Sequence, residues 1–153
     1  MFMFYFVCDH AGYQLKKDLI QLLNQDLQFE NFEFVDLTPD LVEGDDYPDS
    51  AEVLAQKLKF EPDSFGLAVC GSGQGICMAL NRFPWVRAGI GYDLESAEMM
   101  RRHNQANVLC LSGKKITSKL AFQMLSAFLG AVPDTEERHL RRIKKLEQLN
   151  LIK

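Results

Sequence analysis

Short apolar runs alternate with amphipathic segments along the whole chain, and this alternation restricts the fold more than any other feature. Each run has the length of a buried strand, and each following segment carries apolar residues at helical spacing. The expected strands are residues 3–7, 32–37, 65–70, 86–91 and 108–111. Because helices separate the strands, the strands pair in parallel and both faces of the sheet are covered. With right-handed crossovers this predicts an α/β fold, a Rossmann-like three-layer α/β/α sandwich around a doubly wound, five-stranded parallel sheet.

Several helix starts carry a recognisable residue. Pro48 suits a first helical turn, and Asp93 and Thr117 are expected N-caps. Thr135, followed by two glutamates, is expected to open a final helix over about residues 135–149. The apolar stripe of that helix consists of Leu140, Ile143, Leu146 and Leu149.

Composition indicates a single globular domain over residues 1–153. The chain is 47% hydrophobic and 25% charged, close to the globular average, which argues against disorder and fibrous repeats. A formal net charge of −4 argues against a general nucleic-acid binder. The first apolar run is too short for a membrane span and lacks a signal-peptide pattern. Four cysteines without C-x-x-C spacing fit neither a zinc ribbon nor a disulfide framework, so we expect a reducing, cytoplasmic location.

The carboxyl ends of the strands are where this fold is expected to bind a ligand. The most informative loop there is Cys-Gly-Ser-Gly-Gln-Gly at residues 70–75. It matches neither the dinucleotide fingerprint nor a Walker A loop, and Ile76 occupies the arginine position of a phosphatase loop. It is interpreted as a group of backbone amides that binds an oxyanion. Cys70 is either a thiolate favoured by the helix N-terminus or a buried core cysteine.

Two pairs of polar residues also have both a chemical and a structural interpretation. Asp9 and His10 either bind a sugar hydroxyl or a phosphate, or exchange protons, or Asp9 caps the next helix while His10 is merely exposed. His103 and Asn104 are either a second acid–base group or the end of a helix.

Arg138 and Arg142 stand four residues apart and share one helical face. They form either a fork for a phosphate dianion or a solvated basic surface. A metal site is not expected, because the spacing of the cysteines and histidines matches no ligand pattern.

Taken together, these segments resemble the ribose-5-phosphate isomerase B family, which includes galactose-6-phosphate isomerase subunits. The likeness covers almost the whole chain, and the order and spacing of its motifs make it specific. The main motifs are Cys8-Asp9-His10-Ala11-Gly12, Asp46-Tyr47-Pro48-Asp49, Cys70-Gly71-Ser72-Gly73-Gln74-Gly75, His103-Asn104, and Arg138-His139 with Arg142.

The resemblance implies an aldose–ketose isomerase that interconverts ribose 5-phosphate and ribulose 5-phosphate through a cis-enediolate, without metal or organic cofactor. It implies Cys70 as general base, because Ile76 stands where another branch of the family has a glutamate. His103 is implied in ring opening with Asp9 as partner, and Ser72 in proton relay. The residues implied in binding substrate or phosphate are His10, Tyr47, Gly71, Gly73, Gly75, Asn104, Lys114, Arg138 and Arg142.

The resemblance also implies a homodimer, or a dimer of such dimers, with active sites shared between subunits. The final helix is then expected to contribute to the phosphate site and to the dimer. Lys114 replaces an arginine of relatives, which keeps the charge but not the bidentate fork. The loop at residues 38–44 also departs from relatives, so allose or galactose 6-phosphate stays open as the substrate. A non-catalytic sugar-phosphate-binding protein is the other alternative.

Overall fold

Strands and helices alternate as the sequence predicts. In the computed structural model, which describes residues 1–149, the strands are β1 (Phe2–Cys8), β2 (Phe32–Asp36), β3 (Phe65–Cys70), β4 (Ala88–Ile90) and β5 (Val108–Ser112). The helices are α1 (Tyr13–Leu23), α2 (Tyr47–Phe60), α3 (Gln74–Leu80), α4 (Leu94–Asn104), α5 (Ser118–Gly130) and α6 (Glu137–Leu149). A short 3-10 helix at Leu27–Phe29 precedes β2. None of these helices is both long enough and apolar enough to cross a membrane. The last four residues of the predicted domain lie outside the described residues.

All five strands are parallel in one sheet, in the order β2-β1-β3-β5-β4, which confirms the predicted fold class. The chain leaves β1 toward one edge of the sheet and β3 toward the other, so the switch point lies between these two strands. Ligands bind such sheets in the crevice at the carboxyl ends beside the switch point. Cys8 pairs in register with Val69, and Cys70 pairs with Ser112, so the three central strands end nearly level.

The first strand is buried on both faces. Phe4 and Phe6 pack into the layer formed by α1, α4 and α5. Tyr5 and Val7 point the other way, into the layer formed by α2 and α3. This alternation follows from the pleat of the strand. Each such side chain contributes about 1.5–3 kcal/mol when it is fully buried, so the apolar start of the chain anchors both halves of the core.

Three of the four predicted helix starts are confirmed. The Asp93 side chain accepts a hydrogen bond from the Ser96 amide in a capping box, and Thr117 accepts one from the Leu120 amide. Pro48 lies in the first turn of α2. The prediction for Thr135 is wrong by two residues, because α6 begins at Glu137. The Glu136 carbonyl, not that of Thr135, accepts the first helical hydrogen bonds.

Strand β4 is shorter than predicted because side-chain amides replace part of its ladder. The Arg87 amide donates to the Asn107 side chain rather than to a strand neighbour. On the open edge, the Asn81 side chain both donates to the Ala88 carbonyl and accepts from the Ala88 amide. Asn81 therefore covers part of an edge that would otherwise expose unpaired backbone groups.

The final helix packs on α4 through only part of its predicted apolar stripe. Ile143 is buried, together with His139 one turn earlier. Leu140, Leu146 and Leu149 are 43%, 46% and 62% exposed. The stripe is thus correct in position, but most of it faces outward from a single chain.

Candidate active site

The loop after β1 is folded tightly against the end of β3. The Asp9 side chain is buried, and its Oδ1 accepts a hydrogen bond from the Gly12 amide at 3.0 Å. A Cβ at position 12 would lie 2.4 Å from the Val69 carbonyl oxygen, so only glycine permits this approach. Asp9 therefore closes the turn that leads into α1, whatever further chemistry it performs.

The glycine-rich loop aims a backbone amide at the sulfur of Cys70. Gly73 is the N-cap residue of α3 and has a φ of 80°, a left-handed conformation that favours glycine. In this conformation the Gly73 amide donates to Cys70 Sγ at 3.2 Å. A donor held against the sulfur stabilises a thiolate more than a neutral thiol. Cys70 is 4% exposed at the end of β3, so it is both a core residue and a member of this loop.

The loop after β5 is bonded to the glycine-rich loop. The carbonyl of Gly71 accepts hydrogen bonds from the Ser112 hydroxyl at 2.7 Å and from the Lys114 amide at 3.2 Å. The aliphatic part of the Lys114 side chain lies 3.5 Å from where a Cβ of residue 71 would be. Lys114 therefore lies directly beside the loop that carries Cys70.

Tyr47 lies on the other side of the same loop. It is the first residue of α2, and a Cβ at Gly75 would lie 2.5 Å from its Cζ atom. The ring therefore rests on the bare backbone of Gly75. Ser72 is exposed at the tip of the loop, where its hydroxyl accepts a hydrogen bond from the Gln74 amide.

His10 is exposed and paired with Asp45. The His10 amide donates to Asp45 Oδ1 at 2.7 Å, and its Nδ1 lies 2.9 Å from the same oxygen. The hydrogen bond to Asp45 raises the pKa of His10 above its ordinary value of 6.5. A cationic imidazole beside the crevice suits an anionic ligand.

A buried lysine holds the start of the loop that contains Asp45. Lys16 Nζ donates to Asp36 Oδ1 at 2.6 Å and to the carbonyl of Thr38. Lys16 is fully buried, so its ion pair with Asp36 compensates the cost of removing the charge from water. The wall formed by residues 38–46 is thereby fixed at Thr38 by Lys16 and at Asp45 by His10.

The remaining predicted site residues lie at the other end of the sheet, where the strands begin. Helix α4 starts beside the carboxyl end of β4 and returns to the start of β5, so His103 and Asn104 lie near the amino ends of the strands. Arg138 and Arg142 lie on α6, which packs on α4, and both are exposed. We call Asp9, His10, Tyr47, the loop at residues 70–75 and Lys114 the Cys70 set. We call His103, Asn104, Arg138 and Arg142 the His103 set.

Within the His103 set, the ring of His103 is held from two sides. The ring of His139 stacks on it with centroids 4.2 Å apart and an angle of 5° between the planes. His103 Nε2 lies 3.4 Å from Asp134 Oδ2. Asp134 in turn is bound by Arg102, whose Nε lies 3.1 Å from Asp134 Oδ1. The hydrogen bond from Arg102 lowers the pKa of Asp134, which keeps it ionised.

Comparison with known proteins identifies the chain. The sequence profile described as Ribose/Galactose Isomerase matches residues 4–146. The chain belongs to this family. Its relatives include a Mycoplasma pneumoniae protein named probable ribose-5-phosphate isomerase B, 36% identical over 143 residues that cover 93% of this chain and 91% of the relative.

Solved structures of ribose/galactose isomerases agree with the fold. Ribose-5-phosphate isomerase B from Mycoplasma genitalium, solved with bound ribulose-5-phosphate, is 35% identical with a TM-score of 0.88 and coverage of 99% of this chain and 98% of that one. The type B ribose 5-phosphate isomerase of Trypanosoma brucei is 30% identical with a TM-score of 0.91 and coverage of 97% and 99%. The chain is therefore an isomerase.

One cluster of this isomerase combines residue types that ligate metals. His103, Asp134 and His139 have potential ligand atoms within 4.8 Å of one another. However, the two imidazole rings are parallel and stacked, so their in-plane lone pairs lie in separate planes and cannot both point at one ion. Arg102 also already neutralises the carboxylate. The cluster is built as a stack rather than as a chelate.

Sequence reasoning missed two carboxylates that contact predicted site histidines. Asp45 pairs with His10 across 35 residues, and Asp134 pairs with His103 across 31 residues. His139 was recognised only as part of the Arg138-His139 motif. No periodic pattern links residues so far apart. Asp45 had only a weak signal, since it follows the carboxyl end of a strand, where a ligand was expected.

Proposed function

We propose that this isomerase interconverts ribose 5-phosphate and ribulose 5-phosphate through a cis-enediolate, with Cys70 as the general base. The observation that carries the proposal is the hydrogen bond from the Gly73 amide to Cys70 Sγ at the switch point of the sheet. The names of the relatives and the ribulose-5-phosphate bound to one of them support the choice of substrate.

The proton transfer follows from the arrangement of the glycine-rich loop. The Cys70 thiolate removes the proton from C2 of the open-chain aldose, and negative charge develops on the oxygen of C1. Amides of residues 71–75 other than that of Gly73 stabilise that charge, because preorganised donors act best where charge appears in the transition state. Ser72 relays the hydroxyl proton from the oxygen of C2 to that of C1, and Cys70 returns its proton to C1 to give the ketose.

Ile76 supports the choice of Cys70 as the base. Ile76 is completely buried in the core layer of α2 and α3, and its side chain has no group that can take a proton. The glutamate that another branch of the family carries at this position therefore has no counterpart here.

The phosphate is held by cations from both groups of residues. Arg138 and Arg142, four residues apart on α6, supply guanidinium donors, which suit a phosphate dianion. His10 adds a cationic imidazole and Lys114 a point charge. The remaining contacts come from the ring of Tyr47, the backbone of Gly71, Gly73 and Gly75, and Asn104 beside the enediolate. Ring opening is assigned to His103 with Asp9 as partner.

The active sites are shared between two copies of the chain. The Cys70 set lies at the carboxyl ends of the strands and the His103 set at their amino ends in one chain. One site therefore needs the Cys70 set of one copy and the His103 set of another. The exposed Leu140, Leu146 and Leu149 on α6 are available to cover apolar surface in this homodimer. Residues 1–153 act as one domain within it, in a reducing compartment that suits its four free cysteines.

The test compares Cys70→Ala with Cys77→Ala, a second buried cysteine that follows in the next helix. Isomerisation is assayed with ribose, allose and galactose phosphates, and folding is checked by circular dichroism. We expect Cys70→Ala to lose nearly all activity and Cys77→Ala to retain most of it. Near-normal turnover of folded Cys70→Ala would refute the assigned base, and a higher kcat/KM for a hexose 6-phosphate would replace the substrate.

A further inference from the structure

Asp134, in the segment between α5 and α6, contacts both Arg102 and His103 of α4. We propose that Asp134 is a positioning residue for ring opening, because it fixes the orientation and the tautomer of His103. This inference rests on the proposed function, since it assigns a partner to the residue that opens the sugar ring.

The Asp134 carboxylate is held rigidly. Both oxygens of Asp134 face Arg102, at 3.1 Å from Nε and 3.4 Å from Nη2, which is a bidentate arrangement. The Asp134 amide also donates to the Arg102 carbonyl at 2.9 Å. Arg102 lies next to His103 in α4, so the carboxylate is held at a constant place relative to the imidazole.

His139 covers one face of the His103 ring. His139 is 5% exposed, and its Nε2 has no hydrogen-bond partner among the described residues. Burial and the nearby His103 and Arg138 lower the pKa of His139, so the His139 ring is neutral at neutral pH. His139 fixes the plane of the His103 ring and Asp134 fixes its rotation within that plane.

The contact with Asp134 selects one tautomer. His103 Nε2 lies 3.4 Å from the ionised carboxylate, where an N–H is attracted and a nitrogen lone pair is repelled, so Nε2 carries the proton. In the neutral imidazole the proton-accepting atom is then Nδ1. This is the same division of labour as in catalytic triads, where a carboxylate orients the imidazole that exchanges protons.

His103 can carry the proton that ring opening moves between two oxygens of the sugar. The anomeric hydroxyl gives its proton to His103 Nδ1, and the bond between C1 and the ring oxygen breaks as the C1 carbonyl forms. The imidazolium, stabilised by Asp134, then returns that proton to the ring oxygen. The net change is one proton moved between two oxygens of the sugar, with His103 restored.

The substrate pair allows ring opening to be separated from proton transfer at carbon. Ribulose 5-phosphate cannot close a furanose ring, because its C5 oxygen carries the phosphate. Exchange of its C1 proton with D₂O therefore requires Cys70 but no ring opening. Conversion of ribose 5-phosphate requires both steps.

The experiment uses Asp134→Asn and the matched control Glu98→Gln in the full-length protein. Glu98 is the second carboxylate beside Arg102, at 3.3 Å from Nη1, and it does not contact the histidines among the described residues. Each variant thus converts one carboxylate next to the same arginine into an amide. Asp134→Glu serves as the conservative rescue.

We expect Asp134→Asn to lower kcat for ribose 5-phosphate by roughly tenfold to a hundredfold, the usual effect of removing a group that orients a functional histidine. The C1 exchange of ribulose 5-phosphate should stay within about twofold of the unmodified protein, because that step bypasses His103. The ¹⁵N NMR signals of His103 should show loss of the Nε2–H tautomer. Glu98→Gln should change none of these, and Asp134→Glu should restore part of the rate.

Equal loss of both reactions in Asp134→Asn, or no loss of either, would overturn the positioning role. Failure of the proposed function has a different signature. If the unmodified protein exchanges no C1 proton of ribulose 5-phosphate, the isomerase assignment fails before the variants are compared.

Discussion

The Gly73 amide donates to Cys70 Sγ at 3.2 Å, and the contact depends on the left-handed backbone of Gly73. A Cβ at this position would also lie 3.0 Å from the Leu111 carbonyl carbon. The donor, the turn and the neighbouring strand are therefore one unit, and a small change at Gly73 is transmitted directly to the sulfur.

Gly73→Ala should reduce kcat by at least about tenfold, because the strained turn relaxes and moves the amide donor. The left-handed alanine should also destabilise the fold by about 1–2 kcal/mol. Gly44→Ala is the matched control, since Gly44 has a φ of 74° but no atom within 4 Å of its added Cβ. Urea unfolding and kinetics should reveal similar losses of stability in the two variants and a loss of activity only in Gly73→Ala. Comparable activity in the two variants would mean that the contact between Gly73 and Cys70 does not contribute to catalysis.

Thiol reagents should inactivate the enzyme through Cys70. Burial raises the pKa of Cys8, and that of Cys110 lies well above its ordinary value, so both should resist alkylation at neutral pH. A hydrogen bond with Cys110 lowers the pKa of Cys77, which should therefore react as well. Mass spectrometry over time should show that loss of activity follows modification of Cys70 and not of Cys77. Saturating ribose 5-phosphate should protect Cys70 alone; inactivation that follows Cys77 would contradict the proposed base.

The affinity for sugar phosphate should weaken at alkaline pH as His10 loses its charge. The hydrogen bond to Asp45 raises the pKa of His10 above 6.5, so the imidazole stays cationic to a higher pH than a free histidine. The phosphate becomes a dianion above about pH 6. KM should therefore be lowest between these two pKa values and should rise as the pH passes the raised pKa of His10. The contribution of the His10–Asp45 pair to folding stability follows the same sign, being complete below pH 6.5 and lost above the raised pKa.

Asp45→Asn should shift this rise in KM to lower pH. The titration of the His10 ring proton, followed by ¹H NMR, should move in the same direction by the same amount. Asp40→Asn, a change at an exposed position of the same loop, is the control and should leave both curves in place. An unchanged KM profile in Asp45→Asn would mean that His10 does not contact the phosphate.

Inactive variants from the two groups of residues should complement each other. In a mixed dimer of Cys70→Ala and Arg142→Ala, one site combines the intact Cys70 of one chain with the intact Arg142 of the other. Random pairing should therefore restore about a quarter of the wild-type activity, because half of the dimers are mixed and each has one intact site. The measurement is kcat after co-expression or joint refolding. No recovery in dimers shown to be mixed would place both residues in a site within a single chain.

Much of the fold follows from local sequence patterns. The caps at Asp93 and Thr117 and the strand at residues 65–70 were predictable because each depends on a few neighbouring residues. Residues 70–75 were predictable as a tight loop for a related reason, since glycines between a strand and a helix permit the sharp turn that Gly73 makes. Thr135 and the length of β4 were predicted less well. The start of α6 was off by two residues, and the start of β4 is set by side chains of Asn81 and Asn107.

The neighbours of the candidate site residues depend on the order of the strands and on the packing of the helices, which no periodicity encodes. Insertion of β5 between β3 and β4 brings Lys114 beside Gly71. The return of α4 across the sheet carries His103 away from Cys70 and toward Asp134. The chain thus encodes its elements and its glycine-rich loop locally, because capping, pleating and glycine turns act over a few residues. The partners of its histidines are set only by folding, because contacts across 30 residues or more depend on how helices pack on the finished sheet.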